Sequence, residues 1–191
     1  MSTDHYLAYD LASEVKNEFW DGTIVTLNGA PPTHNLICAA IGGELRQRIK
    51  VRDGRVYAPR QRVRIHEECY VYPDFAATCG KAEFTDENPA SLINPTMVVE
   101  VSSPSTERRD RCEKLEAYTS LPSLQVYWIV ETDRAMVTCY ERQSGIWTLR
   151  VVSGVDEAAT SSLFDGTLPL TEIYDQAEWP ADELPTPKED A

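Results

Sequence analysis

The spacing of apolar positions changes along the chain, and each change marks an element. His5–Val15 reads as a short helix. Glu18–Trp20 and Thr23–Leu27 read as two strands around Asp21-Gly22, a dipeptide suited to a tight hairpin turn. After the Gly/Pro loop Asn28–Thr33, the apolar residues Leu36, Ile37, Ala40, Ile41 and Leu45 recur at helical spacing, which predicts a helix over His34–Ile49. Asp53-Gly54 turns the chain into candidate strands Arg55–Ala58 and Arg62–Ile65. Pro73 cannot donate to a ladder, so Asp74 stands at the mouth of a strand Phe75–Thr78. The polar stretch Lys81–Asn94 reads as a loop.

The β-branched run Thr96–Val101 has the pattern of a buried central strand, ended by Pro104. Ser105 or Thr106 can cap a helix that reaches about Ser120 and stops before Pro122. Leu124–Val130 is a second buried strand. Met136–Arg142 and Trp147–Val152 form a hairpin around Gln143-Ser144-Gly145, and Leu168–Ala177 reads as a last short helix. The order predicts a single α/β domain over residues 1–177, with a mixed sheet flanked by helices. Glu178–Ala191 reads as an acidic, disordered tail.

The 191 residues carry 18 basic and 31 acidic side chains, a net charge of −13, which argues at first sight against a nucleic-acid partner. The distribution alters that picture. Residues 46–64 hold eight of the basic residues and one acid, Asp53, while the chain from Thr171 holds seven acids and Lys188 alone. The basic segment reads equally as a solvated face or a phosphate-binding patch. Five dispersed cysteines without a CxxC pair read as reduced thiols, and they and the three histidines show no zinc-ligand spacing. No apolar run is long enough to span a membrane and the N-terminus lacks a signal-peptide pattern, so a cytoplasmic protein is expected.

Three charges are oddly placed. Glu100 interrupts an apolar strand, where an ionised carboxylate must be paired, hydrogen-bonded or bound to metal unless it reaches solvent from the strand end. Asp74 is open to the simpler reading of a turn aspartate after proline. At 100° per residue, Arg111, Leu115, Tyr118 and Leu121 share one helix face, and Lys114 falls inside that arc. It either snorkels outward or faces a polar pocket together with Arg111. Two strand-end carboxylates and a lysine suit metal-assisted phosphodiester hydrolysis. Asp74, Glu100 and the Val101 carbonyl would hold Mg²⁺ or Mn²⁺, and Lys114 would orient or deprotonate a water or stabilise the developing charge.

The stretches EFWDGTIV (18–25), PPTHN (31–35), YPDF (72–75), MVVEVSSPSTERRDRCEKLEAY (97–118) and VYWIVETDRAMVTCYER (126–142) resemble the PD-(D/E)XK nuclease superfamily. They resemble more closely its Uma-two type endonucleases, across roughly residues 15–150. The resemblance implies a restriction-endonuclease-like fold with an N-terminal hairpin and a C-terminal hairpin extension. It implies Asp74 and Glu100 as metal ligands and matches Glu18, an acidic helper or a surface carboxylate, and His34, a substrate-site or packing residue. The superfamily lysine would fall at Ser102; the resemblance puts it at Lys114 on the helix. DNA is the implied substrate, bound weakly and in a salt-dependent manner, with Arg111, Arg62 and Arg64 on phosphates. The competing readings are an inactive nuclease-fold binding module and a structural or interaction protein, half of a homodimer joined through the late hairpin.

Overall fold

The structure is a computed structural model that describes residues 1–50 and 53–179, with only the backbone of Lys50. The predicted tail beyond Trp179 and the basic residue Arg52 lie outside the described residues. In chain order the elements are α1 (Thr3–Ala12), β1 (Asn17–Trp20), β2 (Thr23–Thr26), α2 (Pro32–Lys50), β3 (Gly54–Tyr57), β4 (Val63–His66), β5 (Cys69–Val71) and β6 (Phe75–Cys79). Then come β7 (Met97–Ser102), α3 (Glu107–Arg109), a π-helical turn (Asp110–Lys114), α4 (Leu115–Ser120), β8 (Val126–Glu131), β9 (Met136–Gln143) and β10 (Ile146–Ser153). The chain ends in β11 (Ala158–Thr160), β12 (Thr167–Pro169) and α5 (Leu170–Ile173).

The main sheet has six strands in the order β10-β9-β8-β7-β6-β3. β7 and β8 run parallel, with Val99 beside Trp128 and Ser102 beside Glu131; the other pairs are antiparallel. The late hairpin is therefore the continuation of the central sheet and not an appended unit. Strand alternation splits the central residues between two cores. Met97, Val99, Val101, Val126, Trp128 and Val130 pack with Ile37, Ile41 and Leu45 of α2 on one face. Val98, Tyr127 and Ile129 pack with Tyr118 and Leu121 on the other, together with Val63 and Val71.

α2 begins two residues earlier than the predicted His34, because Pro32 suits a first helical position where its missing N–H costs nothing. It lies close on β6: a Cβ on Gly42 would come within 2.9 Å of the Phe75 ring. That contact seats α2 against the residue following Asp74. The predicted N-terminal hairpin exists, with Asp21 and Gly22 both at positive φ. It joins β5 and β4 in a second, four-stranded sheet, order β2-β1-β5-β4. β5 is too short to stand out in the sequence. The final helix is shorter than predicted at both ends: Leu168 and Pro169 pair with β11 instead, and the helix stops at Ile173. At the end of the described residues, Trp179 donates to the Thr132 carbonyl at 3.0 Å and packs on Tyr174.

Among the described residues, the arginines of segment 46–64 do not all face one surface. Arg48 binds Glu44, Glu172 and the Thr167 carbonyl, tying α2 to the C-terminal segment. Arg62, expected to contact phosphate, is 2% exposed. Its guanidinium donates to Asp10 (3.0 Å), the Ser91 hydroxyl (2.8 Å) and the Pro89 carbonyl (2.8 Å). Asp10 in turn accepts from the Tyr72 hydroxyl at 2.6 Å and the Asn17 amide at 3.1 Å. A strand that alternates Arg62/Val63/Arg64/Ile65 gives no hint that its first arginine is a structural tie. Arg64, the other strand arginine expected on phosphate, is half-buried on β4 opposite Tyr70.

Removing one member of a buried ion pair strands the other charge, at a cost of about 3–5 kcal/mol. Arg62→Met is therefore expected to lower the urea midpoint with the slope unchanged, by a free energy in that range. A shift below about 1 kcal/mol, the range of exposed pairs, would restore Arg62 as a candidate for substrate contact.

Candidate active site

Glu18, Glu100, Asp110 and Lys114 converge between the two sheets, and all four are buried. Glu100 comes from the middle of β7. With Val98 it shares the face that looks toward α4, so its carboxylate meets the helix and not solvent. Glu18 follows the same rule on β1. Asn17 and Phe19 turn toward Tyr6 and α1, which leaves Glu18 and Trp20 on the opposite face. Glu18 is fully buried, and the reading of a surface hairpin carboxylate is set aside.

The helix positions the cation. In a regular α-helix, residues four apart drift by about 40°, so positions 110, 114 and 118 would fan across roughly 80°. The π turn at Asp110–Lys114 is wider and takes back part of that drift. Asp110, Lys114 and Tyr118 are the buried residues of this segment as a result. The expected partnership of Lys114 with Arg111 is not formed. Arg111 pairs with Glu107 and Glu131 and donates to the Thr138 hydroxyl, at the ends of β8 and β9. A uniform 100° rotation cannot foresee this regrouping.

Lys114 Nζ lies 3.0 Å from Glu100 Oε1, 3.5 Å from Asp110 Oδ1 and 3.6 Å from Glu18 Oε1. The Tyr118 hydroxyl also donates to Glu100 Oε1, at 2.7 Å. Ser102, where the superfamily lysine would stand, donates to Asp110 Oδ2 at 2.8 Å. Glu18 is clamped on both oxygens. Oε1 accepts the Tyr72 amide (3.2 Å), and Oε2 accepts Trp20 Nε1 (3.1 Å) and meets Arg109 (2.8 Å). Arg109 also stacks over the Trp20 ring at 5.0 Å. Arg109 and Asp110 were not foreseen, because the run Arg108-Arg109-Asp110-Arg111 reads as an ordinary charged surface.

Asp74 sits at the open end of β6. Its Oδ2 accepts the Val101 amide at 2.8 Å, and its Oδ1 faces His34 Nε2 at 3.4 Å. The Thr132 amide donates to the Ser102 carbonyl, so Ser102 bonds toward β8. By alternation the Val101 carbonyl turns to the opposite side, the side of β6 and Asp74. His34 Nδ1 lies 3.5 Å from Cys38 Sγ. His34, Cys38 and Asp74 form a compact group with ligand atoms within 4.8 Å of one another. The sequence did carry a signal for this group: His34 and Cys38 are four apart on a predicted helix, hence on one face.

Three carboxylates face two cations in the buried cluster, and Asp74 adds a fourth nearby. Burial pushes the Glu100 carboxyl up to about 8; Lys114 opposes that rise, and Asp110, Asp74 and Glu18 reinforce it. Burial alone would drive Lys114 toward its neutral form, but Glu100, Glu18 and Asp110 outweigh it and hold the ammonium well above its usual range. His34 is likewise held above its ordinary value, with desolvation outweighed by Asp74.

A mixed sheet flanked by helices, with a buried carboxylate–lysine cluster against the middle of β7, is a nuclease-fold α/β arrangement. The crystal structure of a putative nuclease belonging to DUF820 from Anabaena variabilis matches with a TM-score of 0.72 at 17% identity, over 92% of this chain and 98% of that one. The sequence pattern of the Uma2 family, described as a putative restriction endonuclease, matches residues 3–171. The chain belongs to the Uma2 family. Two relatives from Synechocystis sp. are uncharacterized proteins. One, sll1609, is 28% identical over 143 residues, 74% of this chain and 81% of its own length. The other, slr1290, is 26% identical over 165 residues, 85% of this chain and 86% of its own.

The folded state holds the Glu100 proton more tightly than the unfolded chain does. The resulting stability is complete below the ordinary carboxyl range and is lost as pH rises through about 8. Metal-free protein should therefore lose stability with rising pH at up to about 1.4 kcal/mol per unit from this group. His34 titrates in the same direction, so the diagnostic comparison is Glu100→Gln, in which denaturation curves should show a shallower decline. An identical slope in both proteins would mean that Glu100 is ionised throughout.

Proposed function

We propose that the protein is a metal-dependent phosphodiesterase of the endonuclease type that acts on DNA. The observation that carries this reading is the burial of Lys114 among Glu100, Glu18 and Asp110, beside Asp74. A purely structural lysine needs one partner. This one stands in an excess of carboxylate against the middle of β7, an arrangement stable only if a proton or a cation balances it.

The residues present fit a hard divalent cation. Asp74, Glu100 and the Val101 carbonyl offer oxygen donors on adjacent strands, the donor class that Mg²⁺ and Mn²⁺ prefer. When bound, the ion supplies Lewis-acid activation of the phosphate and of a water. The chain's own groups supply the rest. The Lys114 ammonium keeps its proton at neutral pH, so it acts as a fixed positive charge for the developing phosphorane and not as a general base. Glu18 and Asp110 hold that ammonium in place from two sides. The clamp of Tyr72, Trp20 and Arg109 on Glu18 keeps the support rigid. Tyr118 fixes the Glu100 rotamer.

The net charge of −13 sets the regime of substrate binding. Long-range repulsion opposes DNA, and affinity rests on a few phosphate contacts that salt weakens. Arg109, partly exposed beside the cluster, is better placed for such a contact than the buried Arg62.

With plasmid DNA and Mg²⁺ or Mn²⁺, Lys114→Met and Glu100→Gln are each expected to reduce the cleavage rate by at least ~10², the scale of losing one preorganised electrostatic group. Cleavage should also fall steeply between about 50 and 200 mM salt. Wild-type rates in both variants, with their folds intact, would overturn the reading and favour a nuclease-fold binding module.

A further inference from the structure

We propose that His34, Cys38 and Asp74 form a second metal site, one that takes a borderline-soft divalent ion of the Zn²⁺ class. The three side chains offer one nitrogen, one sulfur and one oxygen within 4.8 Å of one another. Cys38 Sγ lies 3.5 Å from His34 Nδ1, and His34 Nε2 lies 3.4 Å from Asp74 Oδ1. Tetrahedral ligands at about 2.0–2.3 Å from Zn²⁺ stand roughly 3.3–3.8 Å apart, so the group needs only a small closure. Rotation of the imidazole lets a single ring nitrogen serve the ion.

The frame for such a site is already built. His34 and Cys38 occupy one face of α2, which Gly42 seats closely on Phe75. The Val101 amide fixes Asp74 from behind, the kind of outer partner that orients a ligating carboxylate. His34 and Asp74 each keep about a sixth of their side-chain surface exposed, at 15% and 17%, which leaves an entry path and an open fourth position. Cys38 closes the inner side.

The thiolate is the discriminating ligand. A hard ion such as Mg²⁺ gains little from sulfur, whereas Zn²⁺ and Co²⁺ displace the thiol proton and bind it. Asp74 is common to this site and to the proposed Mg²⁺ site. An ion on His34 and Cys38 therefore draws Asp74 away from Glu100, and Zn²⁺ should compete with Mg²⁺. The proposal does not depend on nuclease activity, since its donors are present whatever the chain acts upon.

The test is titration of the reduced protein with Co²⁺ alone, followed by its absorption spectrum, and displacement by Zn²⁺. One equivalent of Co²⁺ is expected to produce a thiolate charge-transfer band that Cys38→Ser abolishes. His34→Ala should weaken Co²⁺ binding about tenfold or more, as loss of a site-forming group does. Cys112→Ser, which removes an exposed thiol, should leave the band intact. Glu100→Gln should leave it intact as well, so the outcome is separable from failure of the phosphodiesterase reading. No band at saturating Co²⁺, or a band that survives Cys38→Ser, would overturn the proposal. If Cys38→Ser does not fold, His34→Gln serves in its place, and an unchanged Co²⁺ affinity there has the same force.

Discussion

The pairing of Lys114 with Glu100 is the contact on which the centre of the molecule depends. It joins the helix after β7 to the middle of β7 itself, at 3.0 Å and away from water. Each charge would be prohibitive alone at that depth. Glu18 and Asp110 extend the pair to the N-terminal sheet and to the π turn, so one ammonium links three layers. The flanking groups then have evident roles. Tyr118 and Ser102 complete the hydrogen bonding of Glu100 and Asp110, while Trp20, Tyr72 and Arg109 do so for Glu18.

The π turn is the structural means to this end. It places Asp110, Lys114 and Tyr118 on one face and turns Arg111 to Glu131 and Thr138. The helix thereby carries two separate polar systems, one beneath it at Glu100 and one at the far ends of β8 and β9. Burial is the main reason that the Glu100 carboxyl is raised, and the excess of carboxylate in the first system adds to it; that excess is also what supports the proposed cation site.

Much of the fold was legible because its central strands are strongly apolar and its turns carry explicit signals, as at Asp21-Gly22 and Pro104. Asp74, Glu100 and Lys114 stood out for a simple reason: charge in an apolar pattern demands a partner. The helical arc placed Lys114 correctly but paired it with Arg111, since a π turn has no signature in residue spacing. Arg109 and Asp110 were hidden in a charged run, and their roles arise only when β1 crosses nearby. Arg62 misled in the opposite sense. Its alternation with Val63 looked like an exposed strand face, yet Asp10, from an element about fifty residues earlier, buries it. His34 and Cys38 could have been paired from their helical spacing, but their third partner, Asp74, comes from tertiary structure alone.

The most direct measurement is a crystal structure with Mn²⁺, whose anomalous scattering locates the ion independently of the protein density. A cation site at the sheet end predicts Mn²⁺ between Asp74 and Glu100, at about 2.2 Å from their oxygens as expected for hard-ion coordination, with Lys114 still held by Glu18 and Asp110. Crystals in which Glu100 keeps only Lys114 and Tyr118 as partners, with no Mn²⁺ against it at saturating concentration, would contradict the central claim.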